Sequence, residues 1–249
     1  MINCPMSTKK YSYAKNLIRF ATLLLFTFSI FSCQKLGDAY SNSDLYSAYG
    51  TVVTDNSEAK ILLDDEITML KIVSYITYPI ILKEGDRVFI LYTITDPTRD
   101  FSNSSSAFRF YNAVIHDIKN ILTKDYLIKS ELTEEEEIEL GEDRVDISNT
   151  WISAGYLNIN FYAYTSNLPI NHFVNLILDN TSSIDEKKYF TFRHNAFDDN
   201  GIVQSFGRVS FDIKDIIDNM ASGSKMEFVL QWDSYQSYGK RESIIYTKK

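Results

Sequence analysis

The segment "YLNINFYAY", Tyr156–Tyr164, indicates the fold class because apolar and polar side chains alternate along it with a period of two. The polar members include Asn158 and Asn160. The apolar members are Leu157, Ile159, Phe161 and Ala163. Successive side chains of a β-strand point to opposite faces, so the pattern predicts a strand with one buried face and one wet face. The segment "RVSFDI", Arg208–Ile213, alternates in the same way.

Similar short strands, separated by turn signals, are predicted along the chain from residue 46 onward. In the first half they are Tyr46–Thr54, Lys60–Leu63, Thr68–Val73, Arg87–Thr95 and Ala107–Asp117. This set suits a small OB-like barrel, although the pattern alone also fits a sandwich. In the second half they are Val145–Ser148, Tyr156–Tyr164, His172–Asp179, Tyr189–His194, Arg208–Ile213, Glu227–Trp232 and Ser243–Thr247. We therefore predict an all-β chain, an OB-like small barrel followed by an immunoglobulin-like β-sandwich without a disulfide.

Aromatic residues support this class, because 17 Tyr and 16 Phe stand against only 9 Gly and 4 Pro. Several of them, including Trp151 and Tyr156, lie beside predicted core positions. They could pack across neighbouring strands, or they could face outward and anchor a partner. The pattern leaves both interpretations open.

A targeting segment precedes the predicted strands. Its positive residues are Lys9, Lys10, Lys15 and Arg19. The uncharged run Phe20–Phe31 would span about 18 Å as a helix, short of a hydrocarbon core of about 30 Å. A secretory signal therefore fits better than a membrane span. Ser32 followed by Cys33 resembles a lipobox, in which the cysteine is diacylated and becomes the new N-terminus. Ordinary cleavage beside a stray cysteine is the alternative.

Cleavage before Cys33 would change both the charge and the cysteine content. It removes four positive and no acidic residues, which lowers the formal charge from −8 to −12. Cys4 leaves as well, so the mature chain can form no internal disulfide. A strongly negative chain is repelled by phosphate backbones, and we expect no nucleic-acid partner. Attachment to a membrane must come from the acyl chains on Cys33.

The chain is predicted to have four parts. A polar connector is predicted between the strands of the first half and those of the second. The acidic connector, "LTEEEEIELGEDRVD" (Leu132–Asp146), carries four consecutive glutamates. Thr133 and Glu136 have the spacing of a capping box, so one turn of helix is expected. We interpret this run as a solvated connector rather than a cation-binding loop. The parts are a signal peptide at 1–32, a tether at 33–45, an OB-like domain at 46–122 and a β-sandwich domain at 123–249.

An ordered set of segments then covers nearly all of the mature chain. They are "AYGTVV" (Ala48–Val53), "EGDRVFILYTI" (Glu84–Ile94), "ISNTWISAGYLNINF" (Ile147–Phe161), "HFVNLILD" (His172–Asp179), "FRHNAFDD" (Phe192–Asp199) and "GRVSFDI" (Gly207–Ile213). Together with the lipidation signal they resemble the NigD-like lipoproteins. The resemblance implies an N-terminal OB-type barrel and a C-terminal β-sandwich, and it implies the bacteriocin-immunity role suggested for that family. It brings no catalytic residues.

The segment "FTFRHNAFDDNG", Phe190–Gly201, gathers groups that could hold a metal or move a proton. One strand face is expected to carry Phe190, Phe192 and His194. The run Asp198–Gly201 predicts a tight turn. A calcium loop needs oxygen ligands at alternating positions, and zinc needs more ligands than one histidine, although folding could bring His116 or His172 close. We interpret the segment as a strand end with its turn, and we expect no metal.

The sequence favours binding over catalysis. The single mature cysteine is assigned to lipid, and no G-x-S-x-G motif occurs. We expect no catalytic residue and no cofactor. The candidate recognition surface comprises Arg193, His194, Asp198, Trp151 and Tyr156.

Three functions remain open for an envelope lipoprotein anchored in the outer membrane, facing either side. The first is a non-catalytic module that binds a protein partner, in the manner proposed for immunity proteins. The second is a glycan-binding lipoprotein, and the third is a structural component of the envelope.

Overall fold

The computed structural model describes residues 44–55, 58–76, 81–95, 108–166, 170–184, 187–199 and 201–249. The predicted signal peptide, Cys33 and most of the tether lie outside these residues. Residues 44–249 form one compact unit. Within the described ranges, no helix is both long and apolar enough to cross a membrane.

The first half folds into a closed five-stranded barrel. Its strands are β1 (Tyr46–Asp55), β2 (Glu58–Leu63), β3 (Thr68–Tyr75), β4 (Arg87–Ile94) and β5 (Arg109–Asn120). Around the barrel the order is β1-β2-β3-β5-β4, and β4 pairs with β1 to close it. The pair β3 and β5 is parallel, whereas the other four pairs are antiparallel. Alternate apolar side chains fill the interior, among them Val52, Ile61, Leu70, Val88, Ile90 and Ile115. The predicted small barrel is confirmed.

The second half is a β-sandwich of two sheets. One sheet has the order β14-β13-β11-β10-β7 and the other β6-β12-β9-β8. The strands are β6 (Leu122–Asp125), β7 (Leu127–Ile128), β8 (Asp146–Ser153), β9 (Tyr156–Thr165), β10 (Phe173–Ile184), β11 (Lys187–Asn195), β12 (Val203–Asp212), β13 (Lys225–Trp232) and β14 (Lys240–Thr247). The core between the sheets includes Leu157, Ile159, Leu176, Phe190, Phe211 and Phe228. The predicted all-β class, a barrel followed by a sandwich, is confirmed.

Two strands of the sandwich were not predicted from the sequence. The short strands β6 and β7 follow the barrel directly, and each adds to a different sheet by parallel pairing. They are too short to show an alternating pattern, which is the signal that reveals a strand. The division into domains at 46–122 and 123–249 stays a prediction, since both halves pack within one compact unit.

The acidic connector joins β7 to β8 within the sandwich, and it contains a helix. A 3₁₀ turn, Lys129–Glu131, precedes helix α1, Glu134–Glu139. Thr133 caps α1: its hydroxyl accepts from the Glu136 amide, and the Glu136 carboxylate accepts from the Thr133 amide. The predicted capping box is confirmed. A second short helix, α2, spans Lys214–Asp218 between β12 and β13.

The polar face of β9 is buried, so the expectation of a wet face is wrong. Asn158 is 1% exposed and Asn160 is 9% exposed. The barrel covers this face, because the Tyr49 hydroxyl of β1 donates to the Asn160 side chain at 3.1 Å. The ring of Tyr49 also packs against Trp151 of β8, with centroids 4.7 Å apart. Strand β9 therefore has an apolar side toward the sandwich core and an amide-bearing side toward the barrel.

Arg87 is the centre of this contact between barrel and sandwich. Its side chain is fully buried and makes a bidentate pair with Asp64, at 2.6 and 2.8 Å. From the barrel, Thr51 also accepts from Arg87, at 2.9 Å. From the sandwich, Asn158 accepts from Arg87 at 2.8 Å, and Trp151 donates to Asp64 at 2.7 Å. Buried charges are tolerated where their hydrogen bonds are satisfied, and here the partners come from both halves.

Candidate functional site

The site begins where β11 ends, in the segment that the sequence analysis singled out. The alternation is confirmed, because Phe190, Phe192 and His194 are all buried on one face. The chain then turns over Ala196–Asp199, where the Asp199 amide donates to the Ala196 carbonyl at 3.0 Å. Both central residues are left-handed, with φ of 51° at Phe197 and 59° at Asp198. The turn is present, but it begins two residues earlier than predicted.

Three side chains form a hydrogen-bonded chain behind this turn. His172 Nδ1 lies 3.0 Å from His194 Nε2, and His172 Nε2 lies 3.0 Å from a carboxylate oxygen of Asp199. An ionised carboxylate only accepts, so His172 Nε2 must carry a proton. When both rings are neutral, His194 Nε2 donates its proton to His172 Nδ1, and Nδ1 of His194 is the unprotonated nitrogen. Folding thus joins His172 to His194, a pair that the sequence left open, and it places His116 elsewhere, beside Thr93 in the barrel.

Two pKa shifts describe the electrostatics of this chain. Burial lowers the pKa of His194, and the neighbouring His172 lowers it further; attraction to Asp143 opposes both. The Ser166 amide and His172 hold the pKa of Asp199 below its usual value. Asp199 is therefore ionised at neutral pH and ties the turn to Ser166, whose amide donates to both carboxylate oxygens at 2.9 and 3.0 Å.

The acidic connector docks against the same end of β11. Arg193 pairs with Glu142 at 2.5 Å and with Glu137 at 3.3 Å. Asp143 makes two hydrogen bonds to the backbone at the end of β11. Its amide donates to the His194 carbonyl at 2.9 Å, and its carboxylate accepts from the Ala196 amide at 2.7 Å. The connector was interpreted as solvated. Helix α1 is indeed largely exposed, but the segment after it is fixed to the sandwich.

Exposed aromatic side chains surround the turn. Phe173 is 54% exposed and Phe197 is 47% exposed, and their rings meet edge to face with centroids 4.9 Å apart. Val203, the first residue of β12, pairs with Thr165 beside Ser166 and is 49% exposed, and Ile202 directly before it is 90% exposed. We call these four residues the apolar tip. A phenylalanine with positive φ is uncommon, and such strain persists only where the surroundings hold it in place.

The five residues of the candidate recognition surface do not form one surface. Arg193, His194 and Asp198 lie together at the end of β11. Trp151 and Tyr156 lie instead against the barrel, where the Tyr156 hydroxyl donates to the Gly85 carbonyl at 3.2 Å. Tyr156 and His194 are each 2% exposed, so they present no surface to a partner. Sequence reasoning missed Phe173, Phe197 and Ile202, since exposure of an apolar residue at a strand end leaves no periodic signal.

The histidine chain has the order of an acid–base relay, but it lacks the group such a relay would activate. Among the described residues, no hydroxyl or thiol is hydrogen-bonded to His194 Nδ1. Throughout the residues that the structure describes, no group of three His, Cys, Asp or Glu side chains is placed to hold a metal ion. The arrangement fixes the turn. The absence of catalysis stays a prediction.

Comparisons with known proteins agree with this architecture. Residues 128–246 match the family model of the NigD-like C-terminal beta sandwich domain. A crystal structure of a Parabacteroides distasonis protein described as toxin related is 26% identical, with a TM-score of 0.64 over 82% of this chain and 94% of that one.

Two further crystal structures share the fold at lower identity. A Bacteroides vulgatus protein of unknown function is 21% identical, with a TM-score of 0.64 over 83% of this chain and 92% of that one. A NigD-like immunity protein from Bacteroides caccae is 17% identical, with a TM-score of 0.60 over 84% and 99%. Among curated proteins, none matches the chain. The fold defines a barrel-plus-sandwich protein. Residues 128–246 carry the NigD-like C-terminal β-sandwich domain, and the resemblance to the NigD-like family that the sequence segments indicated is confirmed.

Proposed function

We propose that this chain is a lipid-anchored protein of the cell envelope that binds a protein partner and has no catalytic activity. The apolar tip is the observation that carries the proposal. The ring of Phe197 is exposed although its backbone has a strained, left-handed conformation. An exposed ring adds little to the stability of the fold, so the strain indicates a functional constraint at this position. Exposed aromatic rings on a rigid support are typical of protein-binding surfaces.

The frame behind the tip is rigid. Asp199 binds Ser166 and His172, and the connector residue Asp143 binds the backbone at Ala196. These bonds fix the turn before any partner arrives. A preorganised surface loses less conformational entropy on binding, so more of its contact energy appears as affinity.

The charge of the chain selects the kind of partner. The full sequence carries −8, and cleavage before Cys33 would leave −12. Asp198 stands in the turn itself, beside the exposed ring of Phe197. We therefore infer a partner that is cationic and amphipathic, since complementary charge steers association. A cationic toxin is such a partner, which agrees with an immunity role of the kind suggested for NigD-like proteins.

The lipobox at Cys33 supports anchoring by acyl chains, and an exported lipoprotein of this kind would reside in the outer membrane. The described residues begin at 44, so the apolar tip belongs to a folded unit that follows the tether. An interception role requires only that this unit reach a toxin near the membrane. It does not require contact with the lipid.

The proposal is tested by the bacteriocin sensitivity of a deletion strain complemented with three forms of the protein. Wild type should restore resistance. Phe197→Gly should not restore it, because the variant removes the ring while glycine accepts the positive φ and preserves the turn. The control Phe108→Ala removes another exposed phenylalanine, on the barrel, and should restore resistance fully.

Two results would contradict the proposal. If deletion leaves sensitivity to every co-resident bacteriocin unchanged, the immunity role is wrong. If Phe197→Gly protects as well as wild type, the apolar tip is not the binding surface.

A further inference from the structure

An open cleft of about 450 Å³ lies at the end of the sandwich, beside the turn that follows β11. Three tyrosines line it, Tyr164 from β9 and both Tyr235 and Tyr238 from the loop between β13 and β14. Arg144 of the acidic connector lines it as well. We call this feature the tyrosine cleft. Small-molecule sites in proteins are clefts of about 300–1,000 Å³, so the tyrosine cleft has the size of such a site.

The three tyrosines are held by their neighbours and still reach solvent. The rings of Tyr164 and Tyr235 meet edge to face with centroids 4.7 Å apart, and the Tyr164 amide donates to the Tyr235 hydroxyl at 3.0 Å. Tyr238 is 72% exposed and Tyr164 is 37% exposed. Among the residues that the structure describes, none of the three hydroxyl groups donates a hydrogen bond. The cleft therefore offers aromatic rings together with hydroxyl protons that have no acceptor in the protein.

Arg144 is a second kind of donor in the cleft. Its side chain is half-buried, and its guanidinium group lies over the ring of Tyr238, 4.2 Å from the ring centroid. Within the described ranges, no carboxylate, carbonyl or hydroxyl group accepts a hydrogen bond from it. By contrast, Arg87 and Arg193 each pair with a carboxylate. A guanidinium group that is held by a ring and has no acceptor is available to a ligand.

The carboxylates of the lining determine which charge a ligand can carry. They belong to Glu142, Asp143 and Asp199. Each already accepts a hydrogen bond from the protein, and a carboxylate has lone pairs for more. Three carboxylates stand against the single guanidinium group of Arg144, so the lining is negative overall. A negative lining disfavours an anionic ligand.

Hydroxyl groups of a ligand satisfy both the donors and the carboxylates. A hydroxyl accepts from Arg144 or from a tyrosine, and it donates its own proton to a carboxylate. An ammonium group could not accept from Arg144. The tyrosine rings add apolar area, against which the C–H groups of a sugar can pack. A neutral sugar combines these hydroxyl and C–H groups in one ring.

We propose that the tyrosine cleft binds a neutral hexose. Its volume equals that of about fifteen liquid water molecules, which leaves room for one sugar ring and part of its hydration shell. The proposal goes beyond the protein-binding role and does not rest on it, because no residue of the apolar tip lines the cleft. Either can fail without the other.

Saturation-transfer NMR detects weak binding of this kind. The protein is the chain from residue 33 with Cys33→Ser, so that it stays unacylated. At least one of glucose, galactose and mannose should give a saturable signal at millimolar concentration. Glucuronate, which carries a carboxylate on the same ring as glucose, should bind more weakly because the lining is negative.

The variant Arg144→Met tests the charged donor. Methionine keeps an apolar side chain beside Tyr238 but donates no hydrogen bond, so the affinity for the best hexose should fall about tenfold or more, as expected for a bond from a charged group. Tyr238→Phe retains the ring and removes one hydroxyl, and its affinity should fall about two- to tenfold. The matched control is Arg241→Met, since Arg241 does not line the cleft, and it should bind as wild type does. The thermal midpoint of each variant without sugar shows that it is folded.

Three results would overturn the proposal. One is the absence of binding by any neutral hexose at millimolar concentration. Another is tighter binding of glucuronate than of the neutral hexoses, which would show that Arg144 selects an anion. The third is a hexose affinity in folded Arg144→Met and Tyr238→Phe proteins that does not differ from that of the Arg241→Met control.

Discussion

Replacing Arg87 by methionine tests whether the buried contact between barrel and sandwich stabilises the fold. The side chain is fully buried, and its guanidinium group donates to Asp64, Thr51 and Asn158. Methionine keeps a long apolar chain of similar reach but donates no hydrogen bond. The change therefore removes the charge and the bonds while keeping much of the packing.

The expected loss of stability can be worked from what the change leaves behind. Removing one partner of a buried ion pair costs about 3–5 kcal/mol, because the other charge is left uncompensated. Here that charge is Asp64, whose side chain is 15% exposed and still accepts from Trp151. Partial contact with water and one remaining bond place the loss of unfolding free energy near the lower limit, at about 3 kcal/mol.

Equilibrium unfolding in urea measures this loss in the unacylated chain from residue 33, with circular dichroism as the signal. For a chain of this size, a loss of 3 kcal/mol corresponds to a decrease of roughly 6–12 °C in the thermal midpoint. Arg241→Met is the matched control, because Arg241 is exposed and its guanidinium group donates to the Gln231 side chain. It should change stability by no more than about 0.5 kcal/mol. A loss below about 1 kcal/mol for Arg87→Met would refute the reasoning, since a single neutral hydrogen bond would then account for it.

Three further changes follow from local features. Burial and the neighbouring His172 lower the pKa of His194 from 6.5, so the folded state resists its protonation. The free energy of unfolding should be highest above pH 6.5 and should decrease as the pH falls from there toward the lower pKa of His194 in the folded state. Urea unfolding between about pH 5 and 8 measures this pH dependence, which should be weaker in His194→Leu. Gly141→Ala should lower the free energy of unfolding by about 1–3 kcal/mol more than Gly223→Ala does. Both glycines have positive φ, but only at Gly141 would an added Cβ clash, because it would lie 2.7 Å from the His194 carbonyl oxygen. Thermal melting of the two variants measures the difference. Cys33→Ala should release the protein from membranes on fractionation, and persistent attachment would contradict the lipobox.

Most of the fold could be predicted because each strand carries its own signal. Alternation within "YLNINFYAY" is local, and so is the capping-box spacing of Thr133 and Glu136. The periodicity of a strand does not show which part of the protein covers its second face. The pattern predicts that Asn158 and Asn160 face solvent, yet the barrel packs on them. Arg87, the partner of Asn158, lies 71 residues away from it along the chain.

The candidate site was harder to predict for the same reason. His172 and His194 were both noted in the sequence, but their contact depends on the register of β10 against β11, in which Val174 faces His194. One signal could have found the pair: His172 begins one predicted strand and His194 ends the next. If those two strands pair as antiparallel neighbours, such residues must lie close together. No comparable rule exists for Glu142 and Arg193, because a connector has no register.

The buried polar groups of this chain act in two different ways. Around Arg87, donors and acceptors are matched by residues from both halves, so the network needs no ligand and fixes how barrel and sandwich pack. At the end of β11 the polar side chains divide between the two faces of the sheet. Arg193 pairs with Glu137 and Glu142 of the connector on the outer face, whereas His194 bonds to His172 on the face that is buried between the sheets. The first network therefore fixes how barrel and sandwich pack, and the second fixes the connector and the turn behind the apolar tip to the end of one strand.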